Sequence, residues 1–123
     1  VPFYSYSGWY DGAYALSAIH RFLNVQTPGS RLILGPWDHG GAQNISPYSD
    51  SRETAFDHGT EMIRFFDRYV RGTKTGIESE QAVAYFTLGE ERWKFSESWP
   101  PQGVTEKELF LASDNTLAER SQG

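Results

Sequence analysis

Short apolar runs and one amphipathic segment alternate along the first part of this chain. Val1 to Ser7 (VPFYSYS) has the texture of a strand, with Pro2 tolerable only because it lies near the start. A helical pattern follows, in which Ala13, Leu16, Ile19 and Leu23 recur at spacings of three and four and make one apolar stripe. Asn24 and the Thr27-Pro28-Gly29 turn end it. Arg31 to Pro36 is a second strand, a continuous run centred on Leu-Ile-Leu, as suits a strand covered on both faces. Strand, helix and strand in that order predict a parallel βαβ unit.

A polar loop, Gly40 to Asp50, leads into the longest helical pattern. Asp50 or Ser51 is its candidate cap, and Ala55, Phe56, Gly59, Met62, Ile63, Phe66, Tyr69 and Val70 mark the face expected to be buried. Arg68 and Arg71 fall in the last turn, where positive charge complements the helix dipole, and Gly72 is the expected terminating glycine. After Gly76 the character changes. Ala82 to Leu88 (AVAYFTL) and Glu108 to Ala112 (ELFLA) read as strands, with Trp93, Phe95, Trp99 and Pro100-Pro101 between them. This shift predicts a domain boundary, with residues 1–78 on one side and 79–123 on the other. Two parallel strands do not make a stable sheet, and two or three strands do not close a sandwich. The chain therefore reads as a contiguous piece of a larger protein.

Composition narrows the partners. At 123 residues, 38% hydrophobic and 22% charged, the chain suits a modest globular core. A net charge of -5, a pI near 5.1 and 11 scattered basic residues argue against a nucleic-acid partner. With no cysteine there is no disulfide, thiolate zinc site or cysteine nucleophile within the chain, although this does not identify a compartment. No apolar run approaches the ~18 residues of a membrane span, so no membrane partner is expected.

The candidate chemistry sits just after each of the first two strands. Gly8-Trp9-Tyr10-Asp11-Gly12 follows one, and Gly35-Pro36-Trp37-Asp38-His39-Gly40-Gly41 includes the end of the other. In a parallel sheet, the loops beyond the C-terminal strand ends are where functional groups collect. An acid and a histidine there are two members of a nucleophilic triad, in the order acid then base. Asp11 also stands where a helix cap would stand, and that bland role competes for its carboxylate oxygens. His39 taken alone is an ordinary loop histidine. The pair carries the functional reading, with Trp9, Tyr10 and Trp37 as candidates to line the pocket. Asp38 is a rival acid, ranked below Asp11 because its side chain would have to fold back on its own neighbour. No Gly-x-Ser-x-Gly elbow occurs, so no nucleophile is visible. His20 and His58 read as structural or solvated. No metal-ligand spacing and no His-Glu-x-x-His is present, so neither metal nor cofactor is expected. Asn44-Ile45-Ser46 matches a glycosylation sequon but is followed by Pro47 and carries little weight.

Taken together, GWYDG, GPWDHGG, the helix ending FFDRYVRGTKTGI and the segment AVAYFTLGEERWKFSESWPP resemble the cocaine-esterase and X-Pro dipeptidyl-peptidase group of serine hydrolases. The resemblance runs from about Pro2 to Leu111. It implies an α/β fold: the C-terminal part of an α/β-hydrolase domain running, from about Gln81, into the first strands of a β jelly roll. It implies that Asp11 is the triad acid and His39 the triad base. It further implies an acyl-enzyme mechanism on small esters or amides, including cocaine-like esters, α-amino acid esters and peptides with proline in the second position. The nucleophilic serine, the oxyanion-hole tyrosine and the helical cap of such enzymes belong to segments outside this chain, so its partners are a small-molecule substrate and the remainder of its own protein. Ester is the better expectation than peptide, because no carboxylate cluster suited to a free amino terminus is apparent. The competing reading is a non-catalytic piece in which Asp11 caps a helix and the tryptophans pack against a partner or bind carbohydrate.

Overall fold

The computed structural model describes residues 1–120. Its centre is a four-stranded sheet in the order β1-β2-β3-β4, formed by Tyr4–Gly8, Arg31–Gly35, Val83–Thr87 and Arg92–Ser96. β1 and β3 each run parallel to β2, whereas β4 is antiparallel to β3. Helix α1 (Tyr14–Asn24) connects β1 to β2, and helix α2 (His58–Tyr69) lies between β2 and β3. Leu32, Leu34 and Val83 face α1 and meet Ala15 and Ala18. Ile33 and Ala84 face the other way, into a cluster with Trp37, Phe56 and Trp93. The sheet is thus covered on both faces, which is why β2 is apolar from Leu32 to Leu34. β5 (Phe110–Leu111) and β6 (Leu117–Ala118) form a separate two-stranded ribbon.

The two helices bury different faces from those the spacing predicts. In α1 the buried residues are Ala15 and Ala18, with Ile19 and Phe22 half-buried beside them, while Leu16 and Leu23 are exposed. Both stripes satisfy the same period. Close approach decides between them: the Ser5 hydroxyl of β1 donates to the Ala18 carbonyl at 2.6 Å, and only small side chains fit at that separation. In α2 the buried residues are Glu61 and Phe65, and Met62, Ile63, Phe66 and Val70 are exposed. The helix also starts later than predicted. Its cap is Asp57, whose Oδ1 accepts from the Thr60 N–H at 3.0 Å. These bonds from Thr60 favour the charged carboxylate and hold Asp57 below the usual range. Ala55 and Phe56 precede the helix.

A polar anchor turns α2 this way. Arg31 emerges from β2 on the α2 face with its side chain 5% exposed. Its guanidinium lies 3.5 Å from Glu61 Oε1 through Nε and 3.1 Å from Glu80 Oε2 through Nη2. Arg64 joins Glu61 at 3.1 Å and also pairs with Glu80. The Tyr4 hydroxyl donates to Glu61 at 2.9 Å, and burial together with the Glu61 charge keeps that phenol protonated. Burying Glu61 against these partners sets the rotation of the helix, and the apolar stripe is carried outward with it.

The second half also differs from expectation. β3 was expected to begin a separate β-domain after residue 78, but it hydrogen-bonds to β2, pairing Leu32 with Val83 and Leu34 with Tyr85. β4, unannounced among polar residues, completes a hairpin in which Phe86 pairs with Trp93. Strands β1 to β4 therefore make one sheet.

The buried anchor yields a prediction. Removing one member of a buried charge network leaves its partners desolvated and unpaired, typically at a cost of 3–5 kcal/mol. Arg31→Met is expected to destabilise the protein by about 3 kcal/mol in urea unfolding. The double change Arg31→Met with Glu61→Leu should recover part of that loss.

Candidate active site

Two glycines and one tryptophan join the strand ends. Gly8 and Gly35 are directly paired at the ends of β1 and β2. A methyl on Gly35 would lie about 2.1 Å from the Trp37 ring, and one on Gly8 would lie 1.8 Å from the Trp37 carbonyl oxygen. Both positions must lack a side chain for Trp37 to tuck back beneath the sheet, where it is 1% exposed. Backbone bonds seal the joint: Trp9 N–H to the Gly35 carbonyl at 2.9 Å and Tyr10 N–H to the Trp37 carbonyl at 3.2 Å.

This joint brings the two following loops together. His39 Nδ1 lies 3.0 Å from Asp11 Oδ1. The Asp11 side chain is only 15% exposed, whereas that of His39 is 82% exposed. The second carboxylate oxygen, Oδ2, has a long contact of 3.4 Å from the buried Ser7 hydroxyl. The Tyr14 ring sits 5.5 Å from the imidazole, centroid to centroid, and forms one side of the open depression around the pair. Tyr14 escaped the sequence reading. Its place three residues after Asp11, in the first turn of α1, was the available signal.

Geometry bears on the competing roles. α1 is capped by Ala13 with no side-chain bond, so the Asp11 carboxylate is not spent on capping; only its backbone carbonyl accepts from Tyr14 N–H, at 3.0 Å. Asp38 is engaged elsewhere, its Oδ1 accepting the Gly40 N–H at 3.0 Å. Of the three candidate lining residues, Tyr10 borders the depression. Trp37 lies on the α2 side of the sheet. Trp9 packs on the α1 side, its indole N–H donating to the Phe86 carbonyl at 2.7 Å and its ring resting near Trp99. Trp93 belongs to the α2-side cluster, with its indole N–H donating to the Thr54 carbonyl at 3.0 Å. His20 is exposed on α1, and His58 begins α2. Asn44 is buried at 3% exposure. Among the described residues, no three carboxylate or imidazole groups gather as metal ligands.

Residues 1–41 match the family model for X-Pro dipeptidyl-peptidase (S15 family), a span that holds both Asp11 and His39. The chain is similar to the cocaine-esterase and X-Pro dipeptidyl-peptidase group of serine hydrolases. It is 51% identical over 114 residues to a Mycobacterium bovis protein named "Putative serine esterase", covering 93% of this chain and 18% of that protein. It is 28% identical over 122 residues to the cocaine esterase of a Rhodococcus species, covering 95% of this chain and 21% of the esterase. The chain thus spans about a fifth of the length of these relatives. In fold it matches an aminopeptidase from a marine sediment archaeon, at a TM-score of 0.70 and 19% identity, over 98% of this chain and 21% of that one.

The strand-end joint makes Gly8 sensitive. Overpacking of a tight site costs about 1–3 kcal/mol, and more where backbone has to move. Gly8→Ala should lower the unfolding temperature by several degrees and part Asp11 from His39. A crystal structure of the variant, read for that one distance, checks the second effect.

Proposed function

We propose that this chain supplies the acid and the base of a Ser-His-Asp triad in a serine hydrolase of small esters or amides, with the nucleophilic serine on a segment outside it. The observation that carries the reading is the 3.0 Å contact between His39 Nδ1 and Asp11 Oδ1 at the C-terminal ends of adjacent parallel strands. A neutral His39 that donates its Nδ1–H to Asp11 keeps the Nε2 lone pair for accepting a proton. The exposure of the ring leaves that nitrogen open to a serine brought in from elsewhere.

The steps follow from that arrangement. His39 Nε2 takes the serine proton as the oxygen attacks the acyl carbonyl. Asp11 stabilises the imidazolium so formed and holds its orientation. The imidazolium then returns the proton to the leaving alcohol or amine, and an acyl-enzyme results. Water, deprotonated by the same nitrogen, releases the acid and restores the serine.

The same reading assigns residues 1–78 to the C-terminal portion of an α/β-hydrolase domain. Because β3 and β4 extend its sheet, a following β-rich domain of jelly-roll type is better begun after Ser96 than at residue 79. The separate β5–β6 ribbon supports that shift.

Asp11→Asn in the full-length enzyme is the direct test. The amide keeps the shape of the carboxylate but favours the wrong imidazole tautomer, a change that costs about 10⁴ in kcat in a well-studied serine protease. A fall of at least 10³ in kcat for a p-nitrophenyl ester, with little change in unfolding temperature, is expected. A variant within tenfold of the parent would refute the assignment of Asp11.

A further inference from the structure

We propose that Tyr6 and His58 are positioning residues that grip the His39 turn from beneath the sheet, an inference that rests on the triad reading above. His39 has little holding it directly, since among the described residues its exposed ring pairs with Asp11 and Tyr14 alone. The turn that carries it must therefore be fixed through its neighbours. Trp37, two residues before, stacks on Tyr6 with centroids 5.5 Å apart and planes at 28°, and meets His58 edge-on at 4.7 Å. Gly41, two residues after, rests on the same pair: a methyl there would lie 3.3 Å from Tyr6 Oη and 3.9 Å from His58 Cε1. Both flanks of the turn thus bear on one pair of side chains.

The pair is itself locked. The Tyr6 hydroxyl meets His58 Nδ1 in a short hydrogen bond. Burial pushes the Tyr6 phenol up to about 12, so it stays protonated and donates. His58 accordingly accepts at Nδ1 and carries its own proton on Nε2. That nitrogen, like Trp37 Nε1, is enclosed without a hydrogen-bond partner among the described residues. One hydrogen bond therefore sets the tautomer and orientation of a ring otherwise held by packing against Trp37 and Phe56. Tyr6 is anchored in β1 and His58 in the first turn of α2, so the His39 turn is referenced to both a strand and a helix.

The test uses the full-length enzyme with a p-nitrophenyl ester. Tyr6→Phe keeps the ring and deletes the hydroxyl, and kcat is expected to fall about tenfold with KM unchanged. His58→Asn, which retains an acceptor near the Nδ1 position, should recover most of the activity that His58→Phe loses. In a His39→Ala background, Tyr6→Phe should have no further effect on the residual rate, because its action runs through His39. Three results would overturn the proposal: an unchanged kcat in Tyr6→Phe, a loss matched by the unfolded fraction, or equal losses in His58→Asn and His58→Phe. Asp11→Asn, measured alongside, separates the levels. If it is silent, the triad reading fails; if it is crippling while Tyr6→Phe is silent, only the positioning role fails.

Discussion

The fit of Trp37 under two side-chain-free strand ends is the constraint on which the rest of the site depends. Parallel pairing of β1 with β2 brings Gly8 opposite Gly35. Any side chain at either position would collide with Trp37, and with both absent the indole folds back onto the α2 face and closes the cluster there. Its carbonyl then takes the Tyr10 N–H, which ties the loop bearing Asp11 to the loop bearing His39. The acid–imidazole contact is a consequence of this joint. Glycine here serves close approach, and its backbone freedom matters less.

A second constraint acts on the same α2 face, at the other end of β2. Arg31, Glu61, Arg64 and Glu80 form a charge network partly shielded from water, and Tyr4 adds a hydrogen bond to it. Such networks are costly to break more than they are profitable to make, so their main effect is to specify one arrangement. Here that arrangement is the rotation of α2, which also brings His58 beneath the His39 turn. Electrostatic specificity at the start of β2 and tight apolar packing beyond its end thus act on one face of the sheet.

The readable parts of this chain were the local ones. β1, β2 and the acid–histidine pair stand out because each strand is a continuous run ended by a glycine-flanked motif. The buried faces of the helices were illegible for different reasons. In α1 two stripes share the helical period, and only the closeness of Ser5 to Ala18 selects the alanine side. In α2 a charged residue occupies the buried position, so hydrophobic spacing pointed outward. β4 was hidden because Arg92 and Lys94 alternate with Trp93 and Phe95, a period-two pattern that looked merely polar. The parallel pairing of β3 with β2 joins residues some fifty positions apart, and nothing local encodes it. Trp9 and Trp37, candidates for lining the pocket, pack on the α1 and α2 sides of the sheet, while Tyr10 borders the depression.

The central claim is that Asp11 and His39 act as one unit, and a double-mutant cycle on kcat in the full-length enzyme tests it most directly. Residues that serve a single proton-transfer device are strongly non-additive. The account predicts that Asp11→Asn combined with His39→Ala is no slower than His39→Ala alone. Losses that multiply across the two sites would contradict it, because they would mean that each residue acts on its own.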